Sequence, residues 1–259
     1  MSMRPIVLAL GGGGARGLAH LGVIQVFTEQ RVPIAGIVGT SIGAVVASLY
    51  GAGTDLYRLV DLAIAFPWRN LLDLNLPRFG LVSGDRMQSA LEVLLKRKTF
   101  QELSLPVWAV ATDLETGEIV ILRDGPVAPA IRASASVPGF FDPCPYNGRS
   151  LVDGGVLAGV PVEVARGMGD PVVAVDVGSA MPSRRSRHFI DVLTRVVGIM
   201  GSELDRRQVA QADLVIRPEV GLVGSAQFDQ ARECVVAGRK AAEQALPMLR
   251  SLMQMENPA

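Results

Sequence analysis

The sequence predicts an α/β fold in which a mainly parallel central sheet is flanked by helices on both faces, giving three layers. Three observations predict it: apolar strand-like runs alternate with helix-periodic segments, glycines follow the first two runs, and 49% of the 259 residues are hydrophobic against 19% charged. Alternating strands and helices are typical of a parallel sheet covered by crossover helices. A chain of this length buries about three quarters of its extended surface, so its core needs no disulfide support.

The first part of the chain supplies two strand–helix units. Residues 4–10 form a continuous apolar run that stops at glycines, which is typical of a buried parallel strand. Residues 18–30 follow with helical periodicity and place His20 on the apolar face. Residues 34–38 then predict a second strand, and residues 42–50 predict a second helix.

The rest of the chain continues the alternation. A third helix is predicted over residues 83–97 with Ser83 as its N-cap. Further strands are predicted at 107–112, 118–122, 149–152, 172–177 and 214–216, and further helices at 187–209 and 230–250. Because no repeat, low-complexity tract or linker-like segment divides the chain, we expect a single domain over residues 1–259.

Charge and cysteine content exclude several classes of function. Lys plus Arg and Asp plus Glu both number 25, so a net charge of zero gives no basis for binding nucleic acid. Cys144 and Cys234 lie far apart and form no metal-ligand spacing, so neither a disulfide framework nor a zinc site is indicated. This cysteine usage makes a reducing compartment the default. Because the N-terminus also lacks a signal-peptide pattern, we expect a cytoplasmic location.

Two apolar segments bear on membrane contact. Residues 32–54 carry no charge and are long enough to span a bilayer, but Pro33 and several glycines break them into a strand-like half and a helical half. We therefore expect this segment to lie within the fold. Residues 66–82 alternate apolar side chains with Arg69 and Arg78, which fits a packed surface excursion or a lipid-facing lid. The second interpretation predicts peripheral contact with the inner membrane surface.

A glycine-rich loop joins the first predicted strand to the first predicted helix. It reads GGGGARG at 11–17, and Gly12, Gly14 and Gly17 fit the GxGxxG dinucleotide-binding pattern. Such a site needs an acidic residue at the end of the second strand, where this sequence has only Gly, Thr and Ser at 39–41. The backbone N–H groups of the loop, in front of a helix N-terminus, would still stabilise an anion.

Residues 39–43 read GTSIG, a GxSxG pattern between a predicted strand and a predicted helix. In this setting Ser41 would lie on a sharp turn, and Gly39 and Gly43 would let the strand and the helix pack closely. The pattern therefore predicts a nucleophilic serine. The structural alternative is a tight crossover in which the hydroxyl is buried and hydrogen-bonded.

A nucleophilic serine needs a group that removes its proton. His20 is expected to be packed in the core, whereas His188 lies in a polar segment and would complete a Ser, Asp, His order along the chain. Asp153 follows a predicted strand and precedes Gly154 and Gly155, so its carboxylate can turn toward a neighbouring loop. Asp-Gly-Gly is also a common turn sequence. A carboxylate base would require a pKa raised by desolvation and strong anion stabilisation.

Taken together, three motifs resemble the patatin-like phospholipase family: GGGARG at 12–17, GTSIG at 39–43 and DGG at 153–155. Two further stretches extend the resemblance, LAHLGVIQ at 18–25 and IRASASVPGFFDP at 131–143. The resemblance implies a lipid acyl hydrolase that uses a Ser/Asp dyad within an α/β fold.

The resemblance also assigns roles by position. It implies that Ser41 is the nucleophile and Asp153 the general base, and that His20 is not the base. It implies an oxyanion hole, supported by Arg16, that consists of the backbone N–H groups of Gly12, Gly13 and Gly14. Residues 134–141 match a family loop near the site, which is expected to line the acyl channel.

We therefore expect a serine esterase that acts on a lipid or a small ester without a metal or a cofactor. Three alternatives stay open: a triad with His188 as the base, a non-catalytic lipid-binding or regulatory protein of the same fold, and a dinucleotide-binding protein. The sequence selects neither the substrate nor the oligomeric state, because pocket depth and lid geometry decide the former. The apolar positions of the helix at 187–209 suit a partner as well as a core.

Overall fold

The structure is a computed structural model that describes residues 3–65, 82–169, 171–178 and 189–254. Within these residues eight strands form one sheet. The strands are β1 (Ile6–Leu10), β2 (Ile34–Thr40), β3 (Val107–Asp113), β4 (Ile119–Leu122), β5 (Cys144–Tyr146), β6 (Arg149–Asp153), β7 (Val172–Val175) and β8 (Leu214–Ile216). The helices are α1 (Ala19–Glu29), α2 (Ile42–Gly51), α3 (Leu56–Ala65), α4 (Asp85–Leu94), α5 (Val127–Ser134), α6 (Val162–Arg166), α7 (Phe189–Val209) and α8 (Ala231–Gln254).

The sheet combines a parallel block with an antiparallel end. Strand β1 pairs in parallel with β2 and β7, β2 pairs in parallel with β3, and β7 pairs in parallel with β8. Strand β3 also pairs antiparallel with β4 and β6, and β5 pairs antiparallel with β6. The predicted α/β fold with a mainly parallel sheet is confirmed.

Strand β3 has three partners, and their registers determine how they share its two edges. Ala109 and Val110 pair with both β2 and β4, so those two strands flank β3 on opposite edges. Ala111 and Thr112 pair with both β4 and β6, so β6 also lies opposite β4. Strands β2 and β6 therefore lie end to end along one edge of β3, and their carboxyl ends face each other.

Helices cover both faces of the sheet because strand residues alternate between two apolar cores. The larger core contains Leu8 and Leu10 of β1 together with residues of α1, α2, α5 and α8. The smaller core contains Val7 and Ala9 of β1 together with α6 and Val209 at the end of α7. The site described below lies where the strands of the parallel block end.

Helix α1 lies inside the larger core, with α8 packed against it. All of its residues from Ala19 to Phe27 are buried. The two helices approach closely because both contribute a glycine: a Cβ on Gly22 would lie 2.1 Å from the Val235 carbonyl oxygen, and one on Gly238 would lie 2.0 Å from the Ala19 carbonyl oxygen. This close packing fixes the helix that follows the glycine-rich loop.

Some element predictions need correction. The helix predicted over 83–97 is α4, and its N-cap residue is Gly84 in the left-handed conformation. Ser83 instead donates a hydrogen bond to the Asp85 carboxylate at 3.0 Å. Helices α3, α5 and α6 and strand β5 were not predicted. In α5 the reason is Pro129, which a first helical turn tolerates but which obscures the helical pattern.

The uncharged segment 32–54 contributes β2 and α2 and lies within the fold, as expected. Among the described helices, none has both the length and the apolar character needed to cross a bilayer. Two sequence predictions lie outside the described residues. These are His188 and, apart from Val82, the segment 66–82 with Arg69 and Arg78.

Candidate active site

Ser41 occupies the sharp turn between β2 and α2. Its backbone has φ 55° and ψ −122°, an unusual conformation for a residue with a side chain. The flanking glycines permit the turn, since a Cβ on Gly39 would lie 2.5 Å from the Ala44 nitrogen and one on Gly43 would lie 2.2 Å from the Leu10 carbonyl oxygen. The turn has the form of a nucleophile elbow, in which the serine is held between strand and helix.

A second serine stabilises this turn. The backbone N–H of Ser41 donates to Ser134 Oγ at 3.0 Å, and the Ser134 hydroxyl donates to the Val110 carbonyl oxygen at 2.6 Å. Ser134 is fully buried at the end of α5. The predicted channel-lining role of residues 134–141 is therefore wrong at Ser134, because its side chain is used within the core to bridge β2 and β3.

Asp153 ends β6 and is held on both sides by backbone groups. Its Oδ1 accepts the Gly155 N–H at 2.7 Å, and its own N–H donates to the Ser136 carbonyl oxygen at 2.9 Å. The side chain is buried, and Oδ2 has no partner with full hydrogen-bond geometry among the described residues. Burial raises the pKa of Asp153 to about 6, against smaller lowering effects of the Gly155 N–H and of the nearby Ser41 hydroxyl.

The end-to-end arrangement of β2 and β6 brings Ser41 and Asp153 together. Gly154 marks the junction, since a Cβ there would lie 2.4 Å from the Val110 carbonyl oxygen and 3.1 Å from Thr40 Cγ2. The Ser41 hydroxyl lies near enough to the Asp153 carboxyl group to exert a lowering effect on its pKa. A buried carboxylate with a pKa near 6 beside a serine hydroxyl is a chemically suitable general base.

The glycine-rich loop lies against Ser41. A Cβ on Gly12 would be in ordinary contact, 3.5 Å from Ser41 Cβ. The Gly12 N–H donates to the Gly159 carbonyl oxygen at 2.8 Å, so the prediction that this N–H binds an oxyanion needs correction. The N–H groups of Gly13 and Gly14 have no hydrogen-bond acceptor in the part of the chain that the structure describes. These two donors are available to an anion.

Two buried side chains bind carbonyl oxygens of the glycine-rich loop. Arg16 Nε donates to the Gly13 carbonyl oxygen at 3.3 Å, which agrees with the expected supporting role of Arg16. The fully buried His20 bonds through Nε2 to the Gly11 carbonyl oxygen at 2.7 Å. Since burial lowers the pKa of His20 to about 4, its ring is neutral and Nε2 carries the donated proton. His20 is thus a core residue, as the sequence suggested.

Chain atoms pack closely against the turn that follows the loop. The Ala15 N–H donates to the Ser225 carbonyl oxygen at 2.8 Å, and a Cβ on Gly14, whose φ is +59°, would lie 2.2 Å from that oxygen. Gly17 is covered by Ile42, whose Cγ2 would lie 2.1 Å from an added Cβ. The Ala15 N–H is therefore occupied by the chain itself, and the dinucleotide-binding alternative still lacks the acidic residue that it needs after the second strand.

Sequence reasoning missed two residues that organise the site. The Thr40 hydroxyl donates to the Ala158 carbonyl oxygen at 2.7 Å, one residue before Gly159. Asp205 of α7 accepts the Val160 N–H at 3.0 Å. Their partners Ala158 and Val160 follow the Asp-Gly-Gly motif in an apolar stretch, and nothing in the sequence pattern marked Asp205.

With this geometry defined, comparison with known proteins identifies the family. The sequence model described as patatin-like phospholipase matches residues 8–166, which include the glycine loop, Ser41 and Asp153. The chain belongs to the patatin-like phospholipase family. The predicted resemblance is therefore confirmed.

Curated patatin-like relatives come from bacteria and animals. An uncharacterized NTE family protein of Mycobacterium bovis is 37% identical over 179 residues, which are 68% of this chain and 49% of that protein. The patatin-like phospholipase domain-containing protein 7 of Rattus norvegicus is 36% identical over 185 residues, 67% of this chain and 14% of that protein. The chain thus spans at most about half the length of these relatives.

Solved structures of low sequence identity share the fold. VipD from Legionella pneumophila superposes with a TM-score of 0.68 at 17% identity, covering 97% of this chain and 67% of that one. The type III effector protein ExoU gives a TM-score of 0.52 at 13% identity, covering 96% and 54%. The patatin-like fold therefore extends beyond the segment that the family model matches.

Proposed function

We propose that this protein is a serine acyl hydrolase in which Ser41 is the nucleophile and Asp153 the general base. The observation that carries the proposal is the meeting of β2 and β6, where a strained serine turn abuts a buried carboxylate whose pKa is raised to about 6. The family membership and the names of the relatives support a lipid ester as the substrate class.

The proposed reaction has two stages. In the first, Ser41 Oγ attacks the ester carbonyl carbon while its proton passes to the Asp153 carboxylate, and the N–H groups of Gly13 and Gly14 receive the oxyanion. Collapse of the tetrahedral intermediate breaks the ester C–O bond, and the alcohol leaves with the proton from Asp153. In the second, water gives a proton to Asp153 and attacks the acyl-serine; the acyl–Oγ bond then breaks as Asp153 returns the proton to Ser41 Oγ, which releases the acid and restores both residues.

The S41A variant tests the nucleophile directly. We expect it to lose hydrolysis of p-nitrophenyl esters and labelling by a fluorophosphonate while its melting temperature stays close to that of the wild type. The matched control is S89A, because Ser89 is an exposed serine of α4 that bonds only to its own helix. Labelling of the wild type that maps to another residue would refute the proposal, and an unlabelled, inactive wild type would favour the non-catalytic lipid-binding alternative.

The proposal also includes peripheral contact with a lipid surface. Exposed apolar side chains follow one face of α7, namely Val192, Val196, Ile199 and Met200. The same helix reaches the site through its opposite face, where a Cβ on Gly201 would lie 3.0 Å from the Gly155 carbonyl oxygen. An apolar stripe beside the site suits a bilayer from which the substrate would enter.

A further inference from the structure

We infer that Asp205 is a positioning residue that sets the distance between the glycine loop and Ser41. The inference rests on the proposed function and assigns a role to α7, outside the segment 8–166 that the family model matches. Asp205 touches neither Ser41 nor the oxyanion donors in any described contact. It acts through the short segment Ala158–Val160, which carries three separate attachments.

The first step is that Asp205 binds the backbone of this segment. Its Oδ1 accepts the Val160 N–H at 3.0 Å, and the Gly159 backbone lies near enough to lower the pKa of the carboxyl group. Gly159 and the Asp205 carboxylate are in direct contact, since a Cβ on Gly159 would lie 2.3 Å from Asp205 Oδ2. Gly159 is thus required for the carboxylate to come this close.

The second step is that the segment Ala158–Val160 binds both the glycine loop and the end of β2. The Gly159 carbonyl oxygen accepts the Gly12 N–H at 2.8 Å, and the Ala158 carbonyl oxygen accepts the Thr40 hydroxyl at 2.7 Å. Gly12 immediately precedes the two proposed oxyanion donors, and Thr40 immediately precedes Ser41. The segment therefore connects the loop that would bind the oxyanion with the strand end that carries the nucleophile.

The third step is the electrostatic setting of Asp205. Burial, together with the charges of Asp176 and Asp153, raises the pKa of this carboxyl to about 6, against the lowering effect of the Val160 and Gly159 backbone. A carboxylate at this position is electrostatically unfavourable. The hydrogen bond from the Val160 N–H and the nearby Gly159 backbone compensate this cost, which agrees with a positioning role.

The expected consequence of losing Asp205 is a shift of the glycine loop relative to Ser41 Oγ. Displacement of reacting groups by about 1 Å costs on the order of 10²-fold in rate. We expect D205A to lower kcat on a soluble ester by about that factor while KM changes less than about threefold. Because the loop serves the transition state more than the bound ester, the loss falls on kcat.

The experiment compares three variants by steady-state kinetics, fluorophosphonate labelling rate and thermal unfolding. D205N keeps one oxygen for the Val160 N–H and is expected to retain activity within about tenfold of the wild type, which a general loss of folding would not produce. E203A is the matched control on the same helix, since Glu203 pairs only with Arg206 and Arg207 on the surface, and it should behave as wild type.

Outcomes that overturn the inference differ from those that overturn the proposed function. D205A with wild-type kcat and labelling rate refutes the positioning role, as does an equal loss in D205N and D205A. If D205A does not fold, G159A tests the same contact from the other side, because its methyl group displaces the carboxylate, and wild-type activity there refutes the role. An S41A variant that still hydrolyses the ester would instead refute the proposed function itself.

Discussion

At the scale of single residues, the raised pKa of Asp153 determines the pH range of the proposed reaction. The group acts as a base only when ionised, and burial raises its pKa to about 6. We expect kcat/KM on a soluble ester to rise about tenfold per pH unit below that value and to level off above it. A rate profile that is flat between pH 5 and pH 7 would contradict Asp153 as the base.

The same carboxyl group should lower the stability of the protein at neutral pH. Its pKa rises from 3.8 in the unfolded chain to about 6 in the folded chain, so the folded state binds the proton more tightly. The stabilising contribution is complete below about pH 4 and is lost as the pH rises through about 6. The loss amounts to about 3 kcal/mol, since each pKa unit corresponds to about 1.4 kcal/mol.

The D153N variant isolates this effect because its side chain stays neutral. We expect its free energy of unfolding, measured by urea denaturation, to exceed that of the wild type by up to about 3 kcal/mol at pH 8 and to equal it at pH 4. The variant should also be inactive. Equal stabilities at both pH values would show that the Asp153 charge carries no cost.

The sequence predicted single residues well where a motif constrained them and poorly where only the fold does. Ser41 and Asp153 belong to short motifs whose glycines are required by close backbone approaches, and those approaches are present. The Gly12 N–H was assigned to an oxyanion because a motif does not reveal that a distant carbonyl, that of Gly159, accepts it. Ser134 and Asp205 act through contacts across the fold, which no local pattern records.

At the scale of elements, the turn between β2 and α2 depends on backbone contact between two strands and a helix. A methyl group at Gly43 would lie 2.2 Å from the Leu10 carbonyl oxygen, an atom of a central strand that cannot move aside. We expect G43A to lower the melting temperature strongly or to prevent soluble expression, because overpacking of a rigid core costs about 1–3 kcal/mol or more.

G167A is a suitable control for this substitution. Gly167 is exposed, has helical dihedral angles, and its added Cβ would meet no backbone atom closer than 3.2 Å. We expect its melting temperature to stay within a few degrees of the wild type. A G43A variant as stable as G167A would show that the turn can relax and that the glycine is not a packing requirement.

The strands of the parallel block were predictable because each is a short apolar run followed by a turn or a helix. The direction of β6 was not. Residues 149–152 look like any other short strand, and only the registers of β3 show that β6 runs antiparallel and meets β2 end to end. The pattern predicted that the carboxyl group of Asp153 reaches a neighbouring loop, but not the route by which it does so.

At the scale of the whole molecule, all eight strands of the described chain belong to one sheet, which supports the predicted single domain. Single-domain organisation over residues 1–259 stays a prediction. The relatives are longer proteins of which this chain matches a part, so the comparison concerns the patatin-like region rather than their full activity.

The exposed face of α7 leads to a prediction about the whole protein at a lipid surface. Ile199 and Met200 are 57% and 64% exposed, and burying the exposed part of these two side chains in a bilayer contributes roughly 2–4 kcal/mol to association. We expect the double variant I199S/M200S to sediment with phospholipid vesicles at least tenfold less than the wild type. Hydrolysis of a soluble ester should be unchanged.

The control is V93S, which removes a still more exposed apolar side chain from α4. It should leave vesicle binding as in the wild type. Equal binding by all three proteins would place the lipid contact elsewhere, and no binding by the wild type would exclude peripheral contact under those conditions.

The opposed tips of β2 and β6 have a consequence for biosynthesis. A nascent chain that has emerged only as far as the residue before Arg149 already holds the glycine loop and Ser41, but the strand that delivers the carboxylate has not yet left the ribosome. Under the proposed mechanism such a chain is inert toward esters. Lipolytic capacity would then arise only after most of the polypeptide is made, which spares nearby membranes from attack by unfinished copies.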